Sequence, residues 1–126
     1  MTKVYTSIGL MSGTSGDGID ASIIQSDGED KISIIGNNYT PYSDQFKEEI
    51  SNLKDLINSP NDLMHNKKII EILEKKLTVF HYDSVENILD KFKENKKKID
   101  VLGFHGQTIF HSYKEKISKQ IGDGNL

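Results

Sequence analysis

The first forty residues alternate short apolar runs with turn-forming residues, which is the pattern of β-strands joined by tight connections. Strands are predicted over residues 4–10, 20–25 and 32–35. An Asp27-Gly28 pair separates the second run from the third, and Gly28 can adopt the positive φ of a hairpin turn without steric cost. The pattern therefore predicts three antiparallel strands in sequence.

Apolar residues in the middle of the chain recur every three or four positions, as on one face of a helix. A first helix is predicted to begin near Ser43 and to end near Ser59 and Pro60. Ser59 can cap a second helix that has Pro60 in its first turn, with a bend around residues 81–84. The lysine run at 96–98 fits the carboxyl end of that helix. The stripes are Phe46, Ile50, Leu53 and Ile57, then Leu63, Ile70, Leu73, Leu77, Phe80, Val85, Ile88 and Phe92.

The last quarter of the chain returns to strand patterns. Residues 99–104 predict a buried strand, and shorter strands are expected at 109–111 and 117–121. The final residues, Gly-Asp-Gly-Asn-Leu at 122–126, have the composition of a turn that leads into another element. We therefore expect this sequence to be one part of a longer protein.

Charge and composition exclude several classes of function. The 126 residues include 16 basic and 19 acidic side chains, and the net charge of -3 gives no overall attraction for nucleic acid or anionic lipid. The absence of cysteine excludes disulfides, thiolate metal sites and cysteine nucleophiles. No apolar run approaches the roughly 20 residues needed to span a bilayer, and the start lacks a signal peptide pattern, so we expect a cytoplasmic protein without a membrane partner.

The glycine-rich segment at residues 13–20 is the first candidate for chemistry. Its glycines let backbone N–H groups approach an anion, and Thr14 and Ser15 add hydroxyl donors, so phosphate binding is the physical expectation. Asp17 and Asp20 would repel a bare phosphate unless Mg2+ or ordered water lies between them. The alternative is a hairpin loop whose Asp and Ser side chains only bond their own backbone.

Other motifs fit this segment less well. It lacks the Gly-Lys-Ser or Gly-Lys-Thr of a P-loop, and Asp17 replaces the second glycine of a nucleophile elbow. Residues 16–21 match the loose dinucleotide pattern G-x-G-x-x-A, which makes a dehydrogenase the competing hypothesis. That pattern must open a helix, whereas residues 21–25 have a strand pattern.

His105, Gln107 and Thr108 form the second candidate. They follow a predicted strand directly, so they should lie at the carboxyl edge of the sheet, where ligands of open α/β folds bind. His105 could act as a donor or a general acid/base, while Gln107 and Thr108 could bind sugar hydroxyls or phosphate oxygens. A purely structural histidine is the alternative. The remaining histidines, at 65, 81 and 111, are scattered and predicted to be structural or on the surface, which argues against a zinc site.

Three segments taken together resemble one protein family. They are residues 9–21 (Gly-Leu-Met-Ser-Gly-Thr-Ser-Gly-Asp-Gly-Ile-Asp-Ala), 103–111 (Gly-Phe-His-Gly-Gln-Thr-Ile-Phe-His) and 120–126 (Gln-Ile-Gly-Asp-Gly-Asn-Leu). In this order they resemble the anhydro-N-acetylmuramic acid kinases of the actin-like ATPase superfamily. The resemblance implies an α/β, ribonuclease H-like lobe over residues 1–126, incomplete, with an antiparallel three-stranded meander, helices and further strands. Gly16 departs from the family, which usually has a larger apolar residue there, so the loop is expected to be less rigid.

The resemblance also implies an activity, its cofactors and its site. Family members use ATP, with Mg2+, to convert 1,6-anhydro-N-acetylmuramic acid and water to N-acetylmuramic acid 6-phosphate in cell-wall recycling. The implied ATP phosphate site comprises Gly13, Thr14, Ser15, Gly16, Asp17, Gly18, Ile19 and Asp20, with Asp17 and Asp20 as indirect Mg2+ contacts. The implied substrate side comprises His105, Gln107, Thr108, Asp123 and Asn125.

The family's catalytic aspartate lies in an Asp-Phe-Arg segment beyond Leu126, so the chain alone is expected to be inactive. Two hypotheses remain. The chain is part of a working enzyme, completed by a second chain with the missing lobe or assembled as a homodimer. Alternatively, it is a catalytically dead remnant that at most binds phosphate or a partner chain.

Overall fold

A computed structural model describes residues 3–13, 16–112 and 117–122, apart from the side chains of 95–97, 112, 117 and 118. Three strands come first along the chain, helices follow, and three further strands come last. The elements are β1 Tyr5–Ser12, β2 Gly18–Ser26, β3 Ile32–Pro41, α1 Asp44–Leu56, α2 Pro60–His65, α3 Lys67–Lys91, a 3-10 helix Lys93–Lys98, β4 Val101–Phe104, β5 Gln107–Ser112 and β6 Ile117–Ile121.

The main sheet has the strand order β3-β2-β1-β4. β1, β2 and β3 form the predicted antiparallel meander, and Gly28 has the expected positive φ of 80° in the turn between β2 and β3. The helices then connect β3 to β4, which runs parallel to β1. β5 and β6 pair separately as an antiparallel hairpin. This α/β arrangement confirms the predicted fold class and is consistent with an incomplete ribonuclease H-like lobe.

The core lies between one face of the main sheet and the helices. Alternate residues of β1 and β2 point to this face, because successive side chains of a strand lie on opposite sides of a sheet. Ile8 and Leu10 pair with Ile23 and Ala21 there. The helices complete the core with Phe46, Ile50, Leu53, Ile70, Leu73, Leu77 and Ile88. The predicted helical stripes therefore supply the residues that bury the sheet.

α1 begins as predicted, because the Ser43 hydroxyl accepts a hydrogen bond from the Phe46 N–H at 3.2 Å. The helix ends at Leu56, a few residues before the predicted end. Pro60 occupies the first turn of α2 and Ser59 lies at its N-cap position as predicted, but the Ser59 side chain makes no capping hydrogen bond. Asp62 instead accepts from the Asn58 N–H at 2.9 Å and fixes the entry to the helix.

α3 is continuous from Lys67 to Lys91, so the predicted bend around residues 81–84 is wrong. His81 and Ser84 are both buried and lie three residues apart, on the same helical stripe as Leu77 and Ile88. The interruption falls earlier, at Asn66 between α2 and α3. The lysine run lies in the 3-10 helix that follows α3. None of the helices in the described ranges is long and apolar enough to cross a membrane.

β4 differs from its prediction as a buried strand. It begins at Val101, and Val101 and Leu102 are 54% and 47% exposed. Within the described residues β4 pairs only with β1, so it forms an edge of the sheet and its apolar residues lack neighbours on one side. An apolar run shows that a segment can be buried, but not which elements of the chain cover it.

The packing of α3 can be tested with two aliphatic residues on opposite faces of the helix. Leu77 is fully buried, whereas Ile72 is 56% exposed. We expect Leu77→Ala to lower the free energy of unfolding by about 2 to 4 kcal/mol, because the substitution leaves a cavity in the core. Ile72→Ala should change it by less than about 1 kcal/mol. Urea denaturation measures both, and equal losses would contradict the assigned face.

Buried His81 should make stability depend on pH. Burial lowers the pKa of His81, although the Leu77 carbonyl, 2.9 Å from Nδ1, opposes this shift. The unfolded chain therefore binds a proton below about pH 6.5 that the folded chain does not, so the free energy of unfolding should fall as the pH is lowered from about 7 to 5. The fall should be smaller in His81→Leu and unchanged in His65→Leu, which alters an exposed histidine. An equal fall in all three proteins would contradict this account.

Candidate functional site

The candidate site lies where β1 and β4 end. The two strands are parallel and Leu10 is paired with Phe104, so the residues that follow each strand lie at the same edge of the sheet. This places the glycine-rich loop after β1 beside the His105-Gly106 turn after β4. His105 and Gly106 thus lie at the carboxyl edge of the sheet as predicted, whereas Gln107 and Thr108 begin β5.

Two hydrogen bonds, one buried and one partly buried, join the loop to the turn. The Ser12 hydroxyl donates to the Gly106 carbonyl at 2.7 Å, and the Gln107 side-chain amide donates to the Gly13 carbonyl at 2.8 Å. Gln107 is fully buried, and its side-chain amide also donates to the Thr108 carbonyl at 3.2 Å. Polar groups buried in this way are costly unless paired, so the bonds favour one arrangement of the two segments.

Tyr42 extends this polar cluster to the start of α1. Its hydroxyl donates to the Gln107 side-chain oxygen at 3.3 Å, and its backbone N–H donates to the Asp17 carbonyl at 2.9 Å. Burial raises the pKa of Tyr42 to about 12, against the opposing effect of a hydrogen bond with Ser12, so the hydroxyl stays protonated. Sequence reasoning missed Tyr42, because a tyrosine just before a helix has many uses that no local pattern distinguishes.

The end of β6 approaches the same edge. Gly106 has a φ of 88°, and a Cβ atom there would lie 2.4 Å from the Ile121 carbonyl oxygen, so a side chain is excluded. The Gly122 N–H donates to the Glu74 carboxylate on α3 at 3.0 Å. The third family-like segment thus begins beside the first two, with Glu74 as an anchor that the sequence did not reveal.

The predicted phosphate-binding residues are divided between a loop and a strand. Gly13, Gly16 and Asp17 lie in the connection after β1, where the Gly16 N–H donates to the Gly13 carbonyl at 3.2 Å. Gly18, Ile19 and Asp20 belong to β2, so the segment leads into a strand and the dinucleotide-binding alternative fails. Ile19 is fully buried in the core, which leaves only its backbone to face a ligand. Thr14 and Ser15 lie outside the described residues.

The two loop carboxylates have different surroundings. Asp20 is exposed on the face of the sheet opposite the helices, where it lines an open groove with Gly103 and His105. Asp17 is exposed on the loop and attracts the Lys54 ammonium electrostatically. Across the described ranges no three His, Asp or Glu side chains cluster as metal ligands. The indirect Mg2+ contact therefore stays a prediction, since Mg2+ bound to phosphates needs only one or two carboxylates.

The predicted substrate-side residues face different surroundings. His105 is exposed and lines the groove of Asp20, with Nδ1 3.3 Å from the Gly106 carbonyl oxygen. Thr108 is half-buried and lines a second cleft of about 390 Å³ beside Lys54 and Asn58. The Gln107 side chain forms its hydrogen bonds within the buried polar cluster. Asp123 and Asn125 lie outside the described residues. The substrate-side roles of all five residues stay predictions.

Comparison with known proteins shows which family this chain resembles. Residues 5–126 match the family model described as anhydro-N-acetylmuramic acid kinase. A protein of that name from Pelagibacter ubique is 52% identical over 126 residues, which are 100% of this chain and 33% of the relative. Relatives of the same name from Rhizobium etli and Agrobacterium fabrum are 38% and 36% identical, over 98% and 100% of this chain and 34% of each relative.

The chain thus spans about a third of the length of the curated relatives it matches. The match extends across all three segments that meet at the edge of the sheet, together with the helices between them. The dehydrogenase alternative has neither the geometry nor a matching relative among these proteins. On both grounds, the chain belongs to the anhydro-N-acetylmuramic acid kinase family.

Proposed function

We propose that this chain is the N-terminal lobe of an ATP-dependent sugar kinase. The complete protein converts 1,6-anhydro-N-acetylmuramic acid, ATP and water to N-acetylmuramic acid 6-phosphate. The observation that carries the proposal is the meeting of distant segments at one sheet edge: the Ser12–Gly106 and Gln107–Gly13 hydrogen bonds join the first two, and Ile121 of the third lies against Gly106. A structural hairpin alone would not require its loop to be fixed against a turn 94 residues away.

The loop at residues 13–17 is the proposed site of the ATP phosphates. Gly13 is exposed, and its carbonyl is held by Gln107, so the backbone around it has a fixed orientation. Such preorganisation favours anion binding, because the backbone dipoles need not reorient when the ligand arrives. Mg2+ would be bound mainly by the phosphates, with Asp17 and Asp20 as indirect contacts, and would neutralise charge on the transferred phosphoryl group.

We propose that the sugar binds beside this loop, with His105, Thr108, Asp123 and Asn125 as its contacts. His105 is exposed in an open groove, so it can donate to or accept from a sugar hydroxyl. Gln107 acts as a positioning residue, since its amide is fully buried and bonded to the phosphate loop. Asp123 and Asn125 follow Gly122, which Glu74 anchors.

The open face of the main sheet supports the proposal that more polypeptide completes this lobe. Five apolar or aromatic side chains on that face are largely exposed, and such a surface usually marks an interface. These residues are Met11, Ile32, Ile34, Tyr39 and Val101. The relatives are about three times as long as this chain. We therefore propose that the rest of the enzyme, in the same chain or a second one, packs against this face.

Phosphoryl transfer should require the second lobe. We expect the 126-residue chain alone to show no measurable ATP-dependent phosphorylation of the anhydro sugar, because catalysis depends on groups positioned from both sides of a cleft. The same chain joined to the remaining two thirds of the Pelagibacter ubique relative should be active in a coupled ADP-release assay.

The matched control is the native relative assayed under the same conditions. Robust activity of the isolated chain would refute the view that it is only a lobe. A folded but inactive joined protein would refute the proposed kinase function and favour a catalytically dead remnant.

The positioning role of Gln107 predicts losses in both stability and activity. Gln107→Leu leaves the Tyr42 hydroxyl buried without this partner and removes the donor to the Gly13 carbonyl, which should cost about 1 to 3 kcal/mol in unfolding free energy. In the joined protein, kcat/KM for ATP should fall as well, because the phosphate loop loses its fixed orientation. Gln45→Leu, on the exposed surface of α1, is the control. Unchanged ATP kinetics in Gln107→Leu would contradict the role.

A further inference from the structure

The proposed phosphate loop has an unbalanced charge. Residues 13–20 contain two carboxylates, Asp17 and Asp20, and no lysine or arginine. A triphosphate bound beside these carboxylates would be repelled unless cations offset the charge. Mg2+ can offset part of this negative charge. A positively charged side chain from another element would offset a further part, whether or not the metal is bound.

Lys54 brings a cation to this loop from α1. A Cβ atom placed on Gly16 would lie 3.4 Å from the Lys54 Nζ and 3.2 Å from a methyl group of Ile50. The ammonium therefore lies close to the backbone of Gly16.

The surroundings of Lys54 keep it partly dehydrated and close to negative charge. Its side chain is half-buried, and burial lowers the pKa of Lys54, while attraction to Asp17 opposes that shift. An ammonium that is already partly dehydrated loses less hydration free energy when it binds an anion. Asp17 shows that the position accepts a negative partner, but Asp17 is itself exposed and can move aside.

Lys54 also lines a cleft. It lines the cleft of about 390 Å³ together with Asn58, Thr108 and His111. This cleft runs between the carboxyl end of α1 and β5, next to the loop that holds Gly16. An anion bound at Gly16 on this side of the loop would therefore lie close to the Lys54 side chain.

We propose that Lys54 binds a phosphate oxygen of the nucleotide and is a binding residue of the phosphate loop. The inference rests on the proposed function, because it takes the loop at residues 13–17 as the phosphate site. Lysine suits this role as a compact point charge on a flexible stem. If Lys54 served only to stabilise the loop through Asp17, its replacement would change stability but leave phosphate affinity unaltered.

The test is a titration of the 126-residue chain with tripolyphosphate and with MgATP, followed by calorimetry and by the backbone amide signals of Gly13 and Gly16. Lys54→Met should weaken both affinities by about tenfold or more, as expected for the loss of a hydrogen bond between charged groups. Lys54→Arg should recover most of the affinity. Lys75→Met, which removes an exposed lysine of α3, should match the wild type. Lys54→Gln replaces Lys54→Met if circular dichroism shows the latter to be unfolded.

Unchanged affinity in a folded Lys54 variant would overturn the proposal, and so would a wild-type chain that binds neither probe. Neither result decides the kinase function, because the joined protein reports on that separately. Conversely, an inactive joined protein would leave the tenfold effect of Lys54 on tripolyphosphate affinity intact, so failure of one proposal is distinguishable from failure of the other.

Discussion

The buried amide of Gln107 is the constraint on which the arrangement of this molecule depends. It bonds the Gly13 carbonyl on one side and the Tyr42 hydroxyl on another, and so connects the end of β1, the start of α1 and the start of β5. The Ser12–Gly106 hydrogen bond lies beside it. Because an unpaired buried amide is costly, these hydrogen bonds favour one arrangement of the three segments. The position of Gly13 is therefore set by the core as much as by the glycines of its segment.

Periodicity predicted the regular elements well, because it records which face of each element is buried. The meander, the Ser43 cap and the apolar stripe of α3 all follow from local sequence. The errors concern features that neighbours decide. β4 is an edge strand although it is apolar, and α3 is continuous through His81 and Ser84, which are both buried on its core face.

The site was predictable where glycine patterns mark it, and not where side chains reach it from elsewhere. The loop after β1 and the turn after β4 could be found from the sequence, as could their location at the strand ends. Tyr42, Glu74 and Lys54 could not, because each contacts the site only through tertiary structure. Gln107 was identified as a polar candidate, but its burial and its bond to Gly13 required the fold.

The central claim is that Gln107 fixes the end of β1 at Gly13 against the turn after β4. Nuclear Overhauser contacts in a nitrogen-edited spectrum of the labelled chain test it most directly. The account predicts cross-peaks between the side-chain amide protons of Gln107 and the α protons of Gly13, with slow solvent exchange of that amide, because the two groups are hydrogen-bonded at 2.8 Å and the Gln107 side chain is buried. A rapidly exchanging Gln107 amide without contacts to Gly13 would contradict it.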